Sequence, residues 1–209
     1  MTYNKEDFYK HVATIVPKGF NMVKDSCMFE RLFSDRKEII HFSHNDYFPH
    51  GVFIKGVIVK TYYNKVEELM MKAFHDTGIE RLHGDTGTIT QLLTSIEDVN
   101  YQILDTEISN NVTFDIVAIE LKKIVEKGAF PFFEYYKTLQ VLYEETEKME
   151  LEKMADFIGQ PLPFRRMIIK KLCNDPGYND YYRMVVDFYR SEDSKDDVML
   201  AEYLNRLLQ

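Results

Sequence analysis

One run limits the possible folds more than any other: GVFIKGVIVKTYY, from Gly51 to Tyr63. It is rich in β-branched and aromatic residues, which suit a pleated strand. Side chains of a strand alternate between its two faces. Val52, Ile54, Gly56 and Ile58 therefore take one face, and Phe53, Val57 and Val59 the other, with Lys55 among them. Both faces are largely apolar, which predicts a central strand or one covered on both sides.

The segments before it read as partners for that strand. FNMV is a short strand, and SCMFERLF is a longer one that ends at the turn-like cluster Ser34-Asp35-Arg36-Lys37. EIIHFS follows. Connections this short favour an antiparallel meander. A helix precedes the meander, with Phe8, Val12 and Ile15 on one stripe. A second helix, NKVEELMMKAFHD, follows it and turns Val66, Leu69, Met70 and Phe74 to one side. Two apolar runs, TITQLL and YQIL, are read as returns to the sheet.

From Val112 the apolar period becomes helical. Phe114, Val117, Leu121, Ile124 and Val125 form a stripe, Lys122, Lys123 and Lys127 crowd its end, and Gly128 is read as its stop. Further helical segments run to the C-terminus, the last opening at Ser194 and burying Val198, Ala201, Leu204 and Leu208. The fold expected is α+β: an N-terminal helix and an antiparallel meander with a packed helix over residues 1–110, then an all-helical region over 111–209 packed on it as one cooperative unit.

The chain has 209 residues, 45% of them hydrophobic, and a formal net charge of -8. That is enough chain for a core without staples. Duplex binding draws its affinity from phosphate neutralisation, and no run of Lys and Arg is long enough to supply it, so nucleic acid is not the expected partner. Cys27 and Cys173 have no disulfide or metal-ligand spacing, which points to a reducing compartment. The first twenty residues have no apolar signal core, and no stretch approaches the roughly 20 apolar residues of a membrane span. A cytoplasmic, non-membrane protein is expected, with no cofactor.

Four strings compete for a function. HFSHNDYFPHG, His41 to Gly51, holds three histidines and an aspartate. Strand alternation puts His41 and His44 on opposite faces, and Asn45-Asp46 with Pro49 and Gly51 is turn chemistry. The string is read as a hairpin tip, with His44, Asp46 and His50 as weak metal candidates. Asp85-Thr86-Gly87-Thr88 matches the aspartic protease triplet, but that chemistry needs two carboxylates about 3 Å apart. The second copy here, Asp105-Thr106, has Glu107 in place of the glycine. Arg31, between Phe29 and Phe33, is either buried with a partner or snorkels its stem over an exposed face, and Glu30 and Glu38 lie on neighbouring strands. GAFPFFEYYKTL carries Phe130, Phe132, Phe133, Tyr135 and Tyr136. These rings are read first as core where the two halves dock, and otherwise as a partner-binding patch.

Gly19-Phe20, Phe29-Glu30-Arg31, Glu38 to Ser43 and Val52-Phe53-Ile54-Lys55-Gly56 give the first half a further character. In order they resemble the elements of a bacterial α+β family of unknown function: a leading helix, a Gly-Phe opening a strand, an aromatic-x-Arg strand, a polar turn and a closing F-x-x-x-G strand. HFSHND stands where that family typically carries a Gln. Some such small acidic proteins look like immunity or accessory proteins. The resemblance implies a fold more than an activity. Net acidity and the absence of a coherent catalytic set lead to the expectation of a non-enzymatic role in binding another protein, such as a basic one. The alternative is a metal-dependent or acid/base hydrolase using the His41–His50 loop or Asp85.

Overall fold

The structure is a computed structural model that describes residues 5–16, 18–23, 26–47, 51–79 and 87–209. Helix α1 spans Lys5–Ala13. Strands β1 (Asn21–Met22), β2 (Met28–Leu32), β3 (Arg36–Asp46) and β4 (Val52–Tyr63) follow, then α2 (Asn64–Thr77) and β5 (Ile89–Leu93). The described strands form one antiparallel sheet in the order β1-β2-β3-β4-β5. This is the meander expected from the short connections. β4 is buried along most of both faces, as its pattern requires: Val52, Ile54, Val57 and Val59 are each at most 1% exposed.

Two glycines have identifiable tasks. A Cβ on Gly56 would lie 2.7 Å from Leu92 Cδ1, so glycine lets β5's Leu92 cross β4 at that point without shifting. Gly78 closes α2 at φ +68, a left-handed conformation that costs glycine nothing, and its N–H donates to the His75 carbonyl.

TITQLL does return to the sheet as β5, but YQIL does not. Tyr101–Asp105 is a 3-10 helix, started by the Asn100 side chain accepting from the Gln102 N–H. Four residues, three of them apolar, carry too little periodicity to separate a strand from a helical turn. Helix α3 (Asn111–Ile124) opens on a reciprocal capping box between Asn110 and Thr113. Gly128 does not stop it. A π turn over Val125–Ala129 carries the chain directly into α4 (Phe130–Tyr135). Gly128 is required there for another reason: its Cβ would meet Ile96 Cδ1 at 2.8 Å. Then come α5 (Leu139–Thr146), α6 (Leu151–Phe157), α7 (Leu162–Leu172), α8 (Tyr178–Ser191) and α9 (Lys195–Leu207). Ser194 precedes α9 as expected, and its hydroxyl donates to Asp197 at 2.6 Å. Leu200 is fully buried where Val198 is only partly so.

The chain folds as two compact units that do not follow chain order. Unit one comprises Met1–Phe33, Lys37–Thr61 and Gln91–Tyr135, and unit two Ser34–Arg36, Tyr62–Thr90 and Tyr136–Gln209. Unit one holds α1, most of the sheet, α3 and α4. Phe8 of α1 and Phe114 of α3 meet edge to face, with centroids 6.4 Å apart. In unit two, α2 packs on α7 and α9, and α8 packs on both of those.

Candidate functional site

The described ends of the His41–Gly51 string pair as the two arms of a hairpin. The backbone N–H of Tyr47 donates to the Gly51 carbonyl, and β3 and β4 run out from that closure. β3 is continuous through His41 and His44, so alternation separates the two rings onto opposite faces. His44 is half-buried. Its Nδ1 is 3.1 Å from the Phe42 carbonyl, and its ring lies against Phe8 and Tyr9 at centroid distances of 5.4 and 6.1 Å. That ring seats α1 on the sheet. Asp46 is exposed at the end of the strand, and His50 lies outside the described residues. Among the described residues no three His, Cys, Asp or Glu side chains gather as metal ligands.

Asp85 and Thr86 also lie outside the described residues. Thr88, the last residue of that string, is buried and structural. Its hydroxyl accepts from the Tyr63 N–H at 3.0 Å and donates to Glu67 at 2.6 Å.

Arg31 is partnered. It sits directly across from Glu38 in the β2–β3 register. Its Nε and a terminal nitrogen both donate to one Glu38 carboxylate oxygen, at 2.9 and 2.6 Å. Glu38 is fully buried. The guanidinium is stacked between the Phe20 and Phe33 rings, 4.7 and 5.1 Å from their centroids. Cation–π contact and a charge-assisted pair reinforce each other. Of the two flanks expected, Phe33 lies against Arg31, while Phe29 packs on Phe42 and Phe20 takes its place; register supplied the acid.

The aromatic segment divides. Phe132 and Phe133 are 7% and 1% exposed, and Phe20 packs 6.4 Å from Phe130 and 6.0 Å from Phe133. Tyr135 is 52% exposed. Tyr136 belongs to unit two, where its ring lies 5.2 Å from Phe157. The segment is therefore mainly core, with one ring outside.

Arg165-Arg166 and Lys170-Lys171 sit at a helical spacing that reads as one solvated face, but Arg165 and Lys170 are each 5% exposed and anchor two charged clusters in unit two. In the first, Arg165 of α7 grips Glu67 of α2 through both carboxylate oxygens, at 3.0 and 2.8 Å, and also donates to the Gln160 carbonyl. In the second, Lys170 of α7 lies 2.7 Å from Glu147 and 2.5 Å from Asp175, with the Tyr143 and Tyr181 rings within 6 Å of its ammonium. Burial pushes the Tyr181 hydroxyl up to about 12. Burial raises the Asp175 carboxyl, but the Lys170 ammonium and the Gly177 N–H outweigh it and hold it below the ordinary aspartate value. A carboxylate with a depressed folded pKa adds stability above its unfolded pKa, near 4, and loses it as pH falls toward the lower folded value. The expected result is that Asp175→Asn flattens the fall in melting temperature between about pH 5 and pH 2. An unchanged acid slope in the variant would refute the assignment.

Cys173 half-faces solvent and donates to the Leu139 carbonyl; burial pushes its thiol up to about 11, away from thiolate reactivity. The ionic clusters are thus internal ties with their charges already answered.

One outward-facing stripe of unit two combines large apolar side chains with charge. Met184 and Phe188, one turn apart on α8, are each 55% exposed. Asp180 and Asp187 border them on one flank, with side chains 84% and 75% exposed, and each has an arginine near it: Arg183 is 3.4 Å from Asp180 and Arg190 3.8 Å from Asp187. Beside this stripe an open cleft of about 370 Å³ lies between the end of α8 and the start of α9, lined by Tyr189, Arg190, Ser194, Lys195, Met199 and Arg206. Arg190 there is bound to Glu202 at 3.0 Å. No helix among the described residues is long and apolar enough to cross a membrane. No family model, curated protein or solved structure matches the chain.

Proposed function

We propose that the protein acts by binding another polypeptide, as an accessory or immunity-like partner, and that the bound segment is basic with an apolar face. The supporting observation is the α8 stripe: Phe188 and Met184 more than half exposed, with Asp180 and Asp187 alongside. Large exposed apolar side chains rimmed by charge mark interaction sites. Phenylalanine and methionine are enriched in such contacts, and methionine adapts its shape to its partner. The aspartates are held only by exposed arginine pairs, which are weak enough for a cationic segment to exchange with, and the net charge of -8 adds long-range attraction.

A photo-crosslinking residue at position 188 would identify the partner, with an exposed position on α1 as the control. The purified partner is then expected to bind wild type. Phe188→Ala should weaken binding by at least about 2 kcal/mol, as removal of a central aromatic anchor does. Asp180→Asn with Asp187→Asn should slow association and reduce its salt dependence. Equal binding by Phe188→Ala, or crosslinking no stronger than at the control site, would refute the proposal.

A further inference from the structure

Helix α3 has two apolar faces, and unit one uses only one of them. Phe114, Val117, Leu121 and Ile124 are buried. On the opposite side Val112, Ile116 and Ile119 are 69%, 47% and 58% exposed. A helix that is apolar all round normally has both faces covered. β-branched residues are also below-average helix formers, so nothing local favours them at exposed positions.

The spacing of the second line is specific. Val112, Ile116, Ile119 and Lys123 follow one another at intervals of four, three and four, which is the alternating core seam of a heptad repeat. Lys123 ends the seam with its stem held in place, because its ammonium is bonded to Glu120 at 2.8 Å and to the Asp98 carbonyl at 3.1 Å. Asp115 and Lys122 are seven residues apart and take the same flanking position beside the seam. Both are exposed, and neither pairs within its own chain among the described residues.

We infer that the exposed face of α3 docks against α3 of a second copy of this chain, the two helices running antiparallel. In an antiparallel helix pair, equivalent flanking positions face each other across the seam. Asp115 of one copy then meets Lys122 of the other, twice, by two-fold symmetry. Ile116 and Ile119 interleave between these pairs, and Val112 lies on the Lys123 stem. A parallel arrangement would instead set Asp115 toward Glu120, which is buried and already held by Lys123 and the Asn100 N–H, and would form neither pair, so charge selects the antiparallel one. The seam is short, well below the area of a standard stable interface, so association is expected at protein concentrations on the order of 100 µM.

Sedimentation equilibrium on the full chain tests this. Wild type should pass from monomer to dimer across that range. Ile119→Ser should shift the transition at least about tenfold higher in concentration. Asp115→Lys and Lys122→Asp should each be monomeric, because each places like charges opposite one another. An equimolar mixture of those two variants should form the mixed dimer, since both pairs are then restored, one of them with its charges exchanged. All three substitutions are at exposed positions, and circular dichroism melts confirm that the variants remain folded. A wild type that stays monomeric at 1 mM, a dimer indifferent to Ile119→Ser, or a mixture that stays monomeric would each overturn the inference.

Discussion

Replacing Glu67 by Ala lowers the stability of the protein by about 3–5 kcal/mol, the expected effect of removing one partner from a buried ion pair. Arg165 is only 5% exposed and would keep its charge with no acid beside it. The Thr88 hydroxyl, which now donates to Glu67, would lose its acceptor in the same step. Such a loss corresponds to a drop in melting temperature of about 6–20 °C for a chain of this size. The double variant Glu67→Leu with Arg165→Met should recover most of it, because a well-packed apolar pair replaces a buried ionic one at little cost. Thermal melts of the two single variants and the double complete the cycle. A drop of less than a degree or two in Glu67→Ala would mean that the pair contributes little to the folded state.

Phe133→Ala is expected to cost about 3–5 kcal/mol, as deletion of a fully buried aromatic ring does. The ring is 1% exposed and packs against Phe20 and Phe132. Phe20 in turn carries the Arg31 guanidinium, so the cavity would open beneath the Arg31–Glu38 pair. The contrast variant is Tyr135→Ala, one turn-half away and half exposed, for which a change within about 0.5 kcal/mol is expected. Urea melts of both variants make the comparison. Near-equal stabilities would contradict the burial of Phe133 and return that ring to the surface, where a partner could reach it.

What the sequence disclosed follows the range of the interaction. β4 was legible because a two-sided apolar pattern is a local property, written in consecutive residues. The hairpin at Tyr47–Gly51 was legible for the same reason. Arg31 announced itself through its aromatic neighbours, while its pairing with Glu38 rather than Glu30 depended on register, a property of two strands together. The Glu67–Arg165 tie joins residues 98 apart in sequence. Nothing near either residue signals the other, so no local pattern could have found it. Gly128 misled because glycine ends helices commonly, yet here it admits Ile96 and Leu93 against the helix backbone. The α3 seam could have been found from the sequence: Val112, Ile116 and Ile119 are spaced for it, but the stronger stripe through Phe114 and Val117 drew the reading to the other side of the helix.

The interleaving of the two units has a consequence for the order in which the chain becomes structured as it is made. Tyr62–Thr90 carries α2, whose packing partners α7 and α9 lie beyond residue 160. On the ribosome α2 is therefore synthesised long before it has anything to rest on, and its apolar side, Val66, Leu69, Met70 and Phe74, waits uncovered until α9 leaves the exit tunnel. Unit one can close once Tyr135 has emerged, while the inserted α2 segment is still unsatisfied. Nascent chains stalled once Tyr135 has emerged should thus protect β2 and β3 from protease and leave α2 open to cleavage, and only chains long enough to free α9 from the tunnel should protect both.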